Sequence, residues 1–185
     1  MSLTESTMLE LGTAAPDFAL IDVVTDKTVR RDDFRGKDAL LVMFLCAHCP
    51  YVKHLEKALG KFGADYSGKP VAIVAISAND AENYPQDRPD GLKAQAKANH
   101  FLFPYLYDES QDVAHAYHAA CTPDFFLFDS SFKLVYRGQF DSSRPGNDVP
   151  ITGEDLRAAI DTVLAGKPVP KEQRPSIGCN IKWKG

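Results

Sequence analysis

The residues best suited to chemistry lie in one short segment, Cys46-Ala47-His48-Cys49. Two cysteines separated by two residues can meet across one helical turn and form a disulfide without a change of fold. The spacing predicts a redox pair in which Cys46 is the nucleophile and Cys49 is the more buried resolving thiol. A strand before Cys46 and a helix after it would favour the thiolate, and a protonated His48 would lower the pKa of Cys46 further.

Other interpretations of this segment remain open. Cys46 and Cys49 could be two small buried apolar residues, as free cysteines often are. They could also bind a metal together with His48 or His54, although the sequence has no second C-x-x-C pair. Haem attachment is excluded, because Pro50 occupies the position at which that motif requires histidine.

The elements that must position the cysteines form a β-α-β unit. Residues 39–45 and 71–76 are apolar on both pleat faces, which is typical of central strands covered on both sides. Between them, residues 50–66 carry apolar side chains at steps of three and four, which predicts one helix. The two strands should therefore be parallel, with Cys46 at the carboxyl end of the first.

The rest of the chain extends this unit into an α/β fold with a central mixed sheet flanked by helices. The sequence predicts an N-terminal β-hairpin and a second hairpin late in the chain, both marked by turn residues between apolar runs. It also predicts two short helices, the first of them capped by Asp90, with a short strand between them, and a last helix capped by Thr152 with Asp155. These elements are the hairpin 18–23 and 28–30, the helices 90–99 and 110–118, the strand 105–107, and the hairpin 125–128 and 133–140.

Length and charge limit the function further. The chain has 185 residues and predicts one domain, 1–185, with a core of about 13–166 and an irregular tail, 167–185, held by Ile177, Ile181 and Trp183. With 21 basic and 25 acidic residues it has no basic surface for nucleic acid, and its apolar runs are too short to span a membrane. The N-terminal residues do not resemble an export signal, so we expect a cytoplasmic protein whose four cysteines are free for chemistry.

Several segments resemble one known family. They are Phe44 to Lys53 around the cysteines, Ser77-Ala78-Asn79-Asp80, Tyr84-Pro85-Gln86-Asp87, Phe103-Pro104-Tyr105-Leu106, Thr122-Pro123 and Gly178-Cys179-Asn180-Ile181-Lys182-Trp183. Together they resemble the thioredoxin-like superfamily, and within it the peroxiredoxin-like branch grouped with the alkyl hydroperoxide reductase/thiol-specific antioxidant family. The resemblance implies a thiol–disulfide oxidoreductase that needs no bound cofactor and no metal. It also implies a cis Thr122-Pro123 bond that faces Cys46, orients an extended client through the free Thr122 backbone and keeps metals from the thiols.

The sequence departs from the peroxiredoxin pattern. That pattern has Thr or Ser three residues before the reactive cysteine and Pro four residues before that. Aligned on Cys49 these positions are Cys46 and Val42, and aligned on Cys46 they are Met43 and Ala39. The family's arginine is also missing near Pro123, so a cradle for the peroxide oxygens is not expected. A thiol-dependent peroxidase remains the alternative enzyme, and a metal- or peptide-binding module without redox catalysis is the alternative outside enzymes.

The other candidate residues have less defined roles. Cys121 is two residues before Pro123 and is predicted either to lie near the redox pair as an accessory thiol or to pack in the core. Cys179 belongs to the tail and is the second possible accessory thiol. The histidines at positions 100, 115 and 118 are expected at the surface, and residues 80–90 are expected to form a solvated loop at a rim of the active cleft. The expected partners are protein or small-molecule thiol and disulfide substrates and a recycling reductant, without nucleic acid or membrane.

Overall fold

A computed structural model describes residues 2–185, which contain ten β-strands and five α-helices. The strands are β1 (Leu3–Glu5), β2 (Ala19–Asp22), β3 (Thr28–Arg30), β4 (Ala39–Phe44), β5 (Val71–Ser77), β6 (Tyr105–Tyr107), β7 (Cys121–Thr122), β8 (Asp124–Asp129), β9 (Leu134–Gly138) and β10 (Ile177–Asn180). The helices are α1 (Pro50–Lys53), α2 (Glu56–Tyr66), α3 (Pro89–Ala98), α4 (Asp112–Ala116) and α5 (Glu154–Leu164).

The main sheet confirms the predicted α/β architecture. Its seven strands lie in the order β3-β2-β6-β5-β4-β8-β9 within the described residues. β4, β5 and β6 are parallel to one another, whereas β2 runs antiparallel to β6 and β8 antiparallel to β4. Both predicted hairpins are present, as β2 with β3 and as β8 with β9. The sheet is therefore mixed, with the β4-β5 pair at its centre.

The sheet separates two hydrophobic clusters. Successive side chains of a strand point to opposite faces, so β4 contributes to both clusters and all six of its residues are buried. On one face Met43 packs in a cluster with Phe62 of α2 and Ile160 of α5. On the other face Phe44 lies against Tyr117, with ring centroids 5.7 Å apart. This cover on both faces holds the carboxyl end of β4 in a fixed position inside the protein.

The helix predicted over residues 50–66 is interrupted. α1 ends at Lys53 and α2 begins at Glu56. At the break the Leu55 N–H donates to Val52 O at 2.9 Å, which is a hydrogen bond across three residues, as in a 3-10 turn. The four-residue hydrogen bonds of α2 then begin with the Leu59 N–H, which donates to Leu55 O. The prediction of one continuous helix was wrong, because apolar spacing does not reveal such a local tightening of the turn.

Two predicted helix caps also differ from the structure. The N-cap of α5 is Gly153, in the left-handed region with φ of 73°, and Thr152, one residue earlier, accepts with Oγ1 from the N–H of Glu154, the first residue of α5. Asp155 Oδ2 accepts from Gln139 and so does not form a capping box. α3 begins with Pro89 at its first position and not with a cap at Asp90.

The tail is more ordered than expected. Its residues 177–180 form β10, the middle strand of a second, antiparallel sheet with the order β1-β10-β7. Trp183, which follows it, is half-exposed and stacks on the exposed His115 ring at 4.1 Å. The tail was expected to be irregular because a strand of four residues between prolines and charged residues gives little periodic signal.

None of the helices within residues 2–185 combines the length and the apolar character needed to cross a membrane.

Candidate active site

Cys46 and Cys49 lie together at the carboxyl end of the sheet. Cys46 is two residues beyond the end of β4, and Cys49 immediately precedes α1. Both side chains are fully buried. Pro50 occupies the first position of α1, where its fixed φ suits the helix and its missing N–H costs no hydrogen bond. A buried strand followed by a proline-started turn thus determines where both sulfurs lie.

The Cys46 thiol has a raised pKa. Its Sγ lies 3.4 Å from Thr122 Oγ1. Burial, followed by the negative charge of Asp87, raises the pKa of Cys46 to about 11, although Thr122 and the backbone N–H groups of Cys49 and His48 act in the opposite direction. The expectation of a lowered pKa was wrong, since burial and then the charge of Asp87 outweigh the hydrogen bonds that favour the thiolate.

Asp87 is the functional residue that sequence reasoning missed. Its side chain is fully buried and comes from a short 3-10 turn, Pro85–Asp87, in the segment expected to be a solvated loop. Oδ1 accepts from the N–H groups of Ala47 at 2.7 Å and His48 at 3.2 Å, and Oδ2 accepts from Asn79 Nδ2 at 3.0 Å. Burial alone would raise the pKa of Asp87, but the hydrogen bonds from His48, Asn79 and Ala47 together lower it. The only sequence signal was the family-like segment from Tyr84 to Asp87.

His48 completes this group. Its Nδ1 donates to Asp87 Oδ2, and its ring stacks on Tyr84 with centroids 5.2 Å apart. The other ring nitrogen, Nε2, is buried and has no hydrogen-bond partner among the described residues. The imidazole is therefore held in one orientation beside the Cys46-to-Cys49 loop.

Thr122 lies between the two cysteines of the motif. The Thr122-Pro123 bond is cis, which confirms the prediction made from the resemblance. Thr122 Oγ1 contacts Cys46 as described, and Thr122 O lies 3.4 Å from Cys49 Sγ. Its backbone was expected to be free for a client strand, but in this structure β10 pairs with β7 and places Cys179 opposite Thr122. The chain's own tail occupies the edge that was assigned to the client.

The disulfide of the structure joins Cys49 to Cys179 and leaves Cys46 as a free thiol. The expected Cys46–Cys49 bond is therefore not the one present. The two bonded residues are 130 positions apart, with Cα atoms 6.2 Å from each other, within the usual range for a disulfide. Despite this separation, the pairing of β10 with β7 brings Cys179 to the motif.

Cys121 lies in different surroundings, although it precedes Thr122 directly. Its Sγ is 3.7 Å from Pro123 O. Burial, and then the charge of Asp124, raises the pKa of Cys121 far above its ordinary value. Neighbouring residues of an extended strand point to opposite sides, so Cys121 faces Asp124 while Thr122 faces the motif.

The potential metal ligands that lie together are not the set considered from the sequence, which was Cys46 and Cys49 with His48 or His54. Cys49 is in a disulfide, and His54 Nε2 lies 3.3 Å from Ser143 Oγ. Cys46, His48 and Asp87 instead place one potential ligand atom each within 4.8 Å of one another. Asp87 already accepts hydrogen bonds with both oxygens, so a metal ion would have to displace some of them. The trio fits a hydrogen-bonded thiol site better than a preformed metal centre.

These features define the class of protein. A mixed sheet, a C-x-x-C segment at the carboxyl end of a central strand and a cis-proline opposite it are the marks of a thioredoxin-like protein. The family model described as "AhpC/TSA family" matches residues 11–137. The chain therefore belongs to the AhpC/TSA family.

The chain is also similar to individual known proteins. The chain is 29% identical to "Thiol-disulfide oxidoreductase ResA" of Geobacillus thermodenitrificans over 139 residues, which cover 71% of this chain and 70% of that one. It matches the crystal structure of an uncharacterized conserved protein from Geobacillus kaustophilus with a TM-score of 0.97 and 53% identity, covering 100% of this chain and 97% of that chain. The thioredoxin domain of a thiol-disulfide oxidoreductase from Bacteroides vulgatus has a TM-score of 0.62 at 23% identity, covers 81% and 97%, and shows the shared fold.

Proposed function

We propose that this protein is a thiol–disulfide oxidoreductase in which Cys46 is the nucleophile and Cys49 the resolving thiol. The observation that carries the proposal is the position of Thr122, next to the cis-proline, with its side chain 3.4 Å from Cys46 Sγ and its carbonyl 3.4 Å from Cys49 Sγ. The family and the similarity to an oxidoreductase named ResA support the same chemistry.

The reduction of a client proceeds in two exchanges. The Cys46 thiolate attacks one sulfur of the client disulfide, so a Cys46–client bond forms and the other client sulfur leaves as a thiolate and takes up a proton. The Cys49 thiolate then attacks Cys46 Sγ, forms the Cys46–Cys49 bond and releases the second client sulfur. The client gains two electrons and the protein loses two. Cys49 must first be a thiol, so a recycling reductant has to reduce its disulfide before each cycle.

Trapping of mixed disulfides tests this proposal. The Cys49→Ser variant should accumulate covalent client adducts through Cys46, because the second exchange is removed. Adding Cys46→Ser to it should abolish the adducts, and Cys121→Ser should leave client reduction as in the parent. Absence of adducts together with absence of any dithiol–disulfide titration in the parent would reject the function.

A thiol-dependent peroxidase is the second candidate, and membership of the AhpC/TSA family favours it. The raised pKa and the complete burial of Cys46 argue against fast attack on peroxide. Rapid mixing with hydrogen peroxide distinguishes the two functions. Consumption no faster than that of a free thiolate at the same pH would reject the peroxidase.

The location and the partners are also proposals. We place the protein in the cytoplasm, where its thiols would be kept reduced, and assign it thiol and disulfide clients and a separate reductant. Fractionation of cells followed by detection of the protein tests the location. Identification of the adducts trapped on Cys46 tests the clients.

A further inference from the structure

Three cysteines, not two, are gathered at Thr122. Cys46 Sγ contacts the Thr122 side chain, Cys49 Sγ contacts the Thr122 carbonyl, and Cys179 is the register partner of Thr122 in the small sheet. All three are at most 1% exposed. Cys49 is the common neighbour of the other two cysteines, since it follows Cys46 by three residues and is bonded to Cys179.

Strand contacts hold Cys179 in place in addition to its bond to Cys49. β10 is held on both edges, by β1 and by β7. Gly178, the residue before Cys179, allows the close approach, because a Cβ at this position would lie 1.9 Å from Thr122 O. Cys179 would thus remain opposite Thr122 after the disulfide opens.

We propose that Cys179 is a third redox thiol of this site and that Cys49 alternates between two disulfides, Cys49–Cys179 and Cys46–Cys49. In the exchange the Cys46 thiolate attacks Cys49 Sγ, the Cys46–Cys49 bond forms and the Cys49–Cys179 bond breaks. Cys179 leaves as a thiolate and takes up a proton equivalent to the one that Cys46 lost. The two forms have the same number of electrons, so the step needs no added oxidant or reductant.

This inference rests on the proposed function and adds a separate role to it. While the Cys49–Cys179 bond is in place, Cys46 is a free thiol. A mixed disulfide formed on it could not be resolved by Cys49, because Cys49 is already bonded. Exchange moves the disulfide into the C-x-x-C motif and leaves the tail thiol reduced. Cys179 thereby provides a second position for the disulfide of the oxidised protein. The disulfide is held there as Cys49–Cys179, or it is passed to the motif as Cys46–Cys49.

Mapping of disulfides tests the exchange. The protein is equilibrated in glutathione buffers of several potentials, quenched with acid, alkylated and digested, and the linked peptides are quantified. The wild type should give both disulfides in a ratio that stays constant as the potential changes, since the two forms are isomers. Oxidised wild type, with four cysteines in total, should retain two alkylatable thiols after denaturation.

Variants separate the two bonds. Cys179→Ser should give only Cys46–Cys49, Cys46→Ser should give only Cys49–Cys179, and Cys121→Ser should match the wild type as the control. If Cys179→Ser destabilises the fold, Cys179→Ala and the wild-type map alone still decide the question.

Two results would overturn the inference while leaving the proposed function intact. One is a Cys179 that stays alkylatable at every potential. The other is a Cys49–Cys179 disulfide that persists without any Cys46–Cys49 isomer while Cys46 still forms client adducts. Failure of the function itself would appear differently, as a lack of Cys46 adducts in the Cys49→Ser variant.

Discussion

Two buried carboxylates lie on opposite sides of Thr122, each beside a different thiol. Asp87, next to Cys46, has a pKa below its usual value because both of its oxygens accept hydrogen bonds. Asp124, next to Cys121, has a pKa raised to about 7 by burial, and its Oδ2 has no partner among the described residues. The same side chain therefore has a lowered pKa in one place and a raised pKa in the other, because Asp87 accepts hydrogen bonds from His48, Asn79 and Ala47, whereas burial dominates at Asp124.

Removing the charge of Asp87 should make Cys46 more acidic. The pKa of Cys46 is raised by burial and then by Asp87, so Asp87→Asn should lower it from about 11 while burial still holds it above the value of a free thiol. The thiolate absorbance is titrated in protein that carries Cys49→Ser, Cys121→Ser and Cys179→Ser together, in which Cys46 is the one remaining cysteine. The exposed Asp90→Asn serves as the control in the same segment. An unchanged or higher midpoint in Asp87→Asn would contradict this electrostatic account.

Asp124 should make the protein less stable as the pH rises. Its pKa is about 7 in the folded protein, above the roughly 3.9 of an unfolded aspartate, so the folded state binds the extra proton between these values. The stabilisation is fully present below the unfolded pKa and is lost as the pH rises to about 7. Urea unfolding across this range should show a shallower decline for Asp124→Asn than for the wild type. The exposed Asp26→Asn should keep the wild-type slope, and an equally steep decline in Asp124→Asn would refute the assignment.

At the scale of elements, β10 is the strand that completes the site. It covers the Thr122 edge and carries Cys179 into contact with Cys49. A substrate strand that uses this edge would therefore have to displace Cys179 and Asn180, the two residues of the protein's own tail that pair with β7. The bond between Cys49 and Cys179 also ties this short strand to the residue that precedes α1.

A side chain at Gly178 should separate the tail from the motif. The Cβ of Gly178→Ala would meet Thr122 O at 1.9 Å, so β10 must shift away from β7. We expect less Cys49–Cys179 disulfide and more Cys46–Cys49, with faster proteolysis of the tail. Gly185→Ala, where nothing lies within 4 Å of the added Cβ, is the matched control. Wild-type amounts of both disulfides in Gly178→Ala would show that the strand does not position Cys179.

The parts of the site that were predicted from the sequence are local, and the parts that were missed are distant. The β-α-β unit with its C-x-x-C segment shows in the periodicity, and the cis Thr122-Pro123 bond was inferred from the family resemblance. Asp87 reaches Ala47 across 40 residues and Cys179 reaches Cys49 across 130, and no periodic pattern encodes such contacts. The sign of the Cys46 pKa shift was missed for the same reason, since it depends on burial and on that distant carboxylate.

At the scale of the whole molecule, the Cys49–Cys179 bond closes a loop over most of the chain. The two bonded residues are separated by 130 positions, and the loop includes β5, β6, β8, β9 and the helices that cover both faces of the main sheet. A Cys46–Cys49 bond closes a loop of only a few residues. The two proposed isomers therefore differ greatly in how much they restrict the unfolded chain.

This difference predicts that the redox state of Cys179 controls global stability. A loop of this length should stabilise the fold by about 2–5 kcal/mol, mainly by restricting the unfolded chain. Urea unfolding of oxidised wild type should therefore have a higher midpoint than that of the reduced protein, whereas oxidised and reduced Cys179→Ser should differ much less, because its remaining disulfide closes a short loop. Cys121→Ser should retain the full difference. Equal midpoints for oxidised and reduced wild type would contradict a substantial population of the Cys49–Cys179 form, because a disulfide across 130 positions must restrict the unfolded chain.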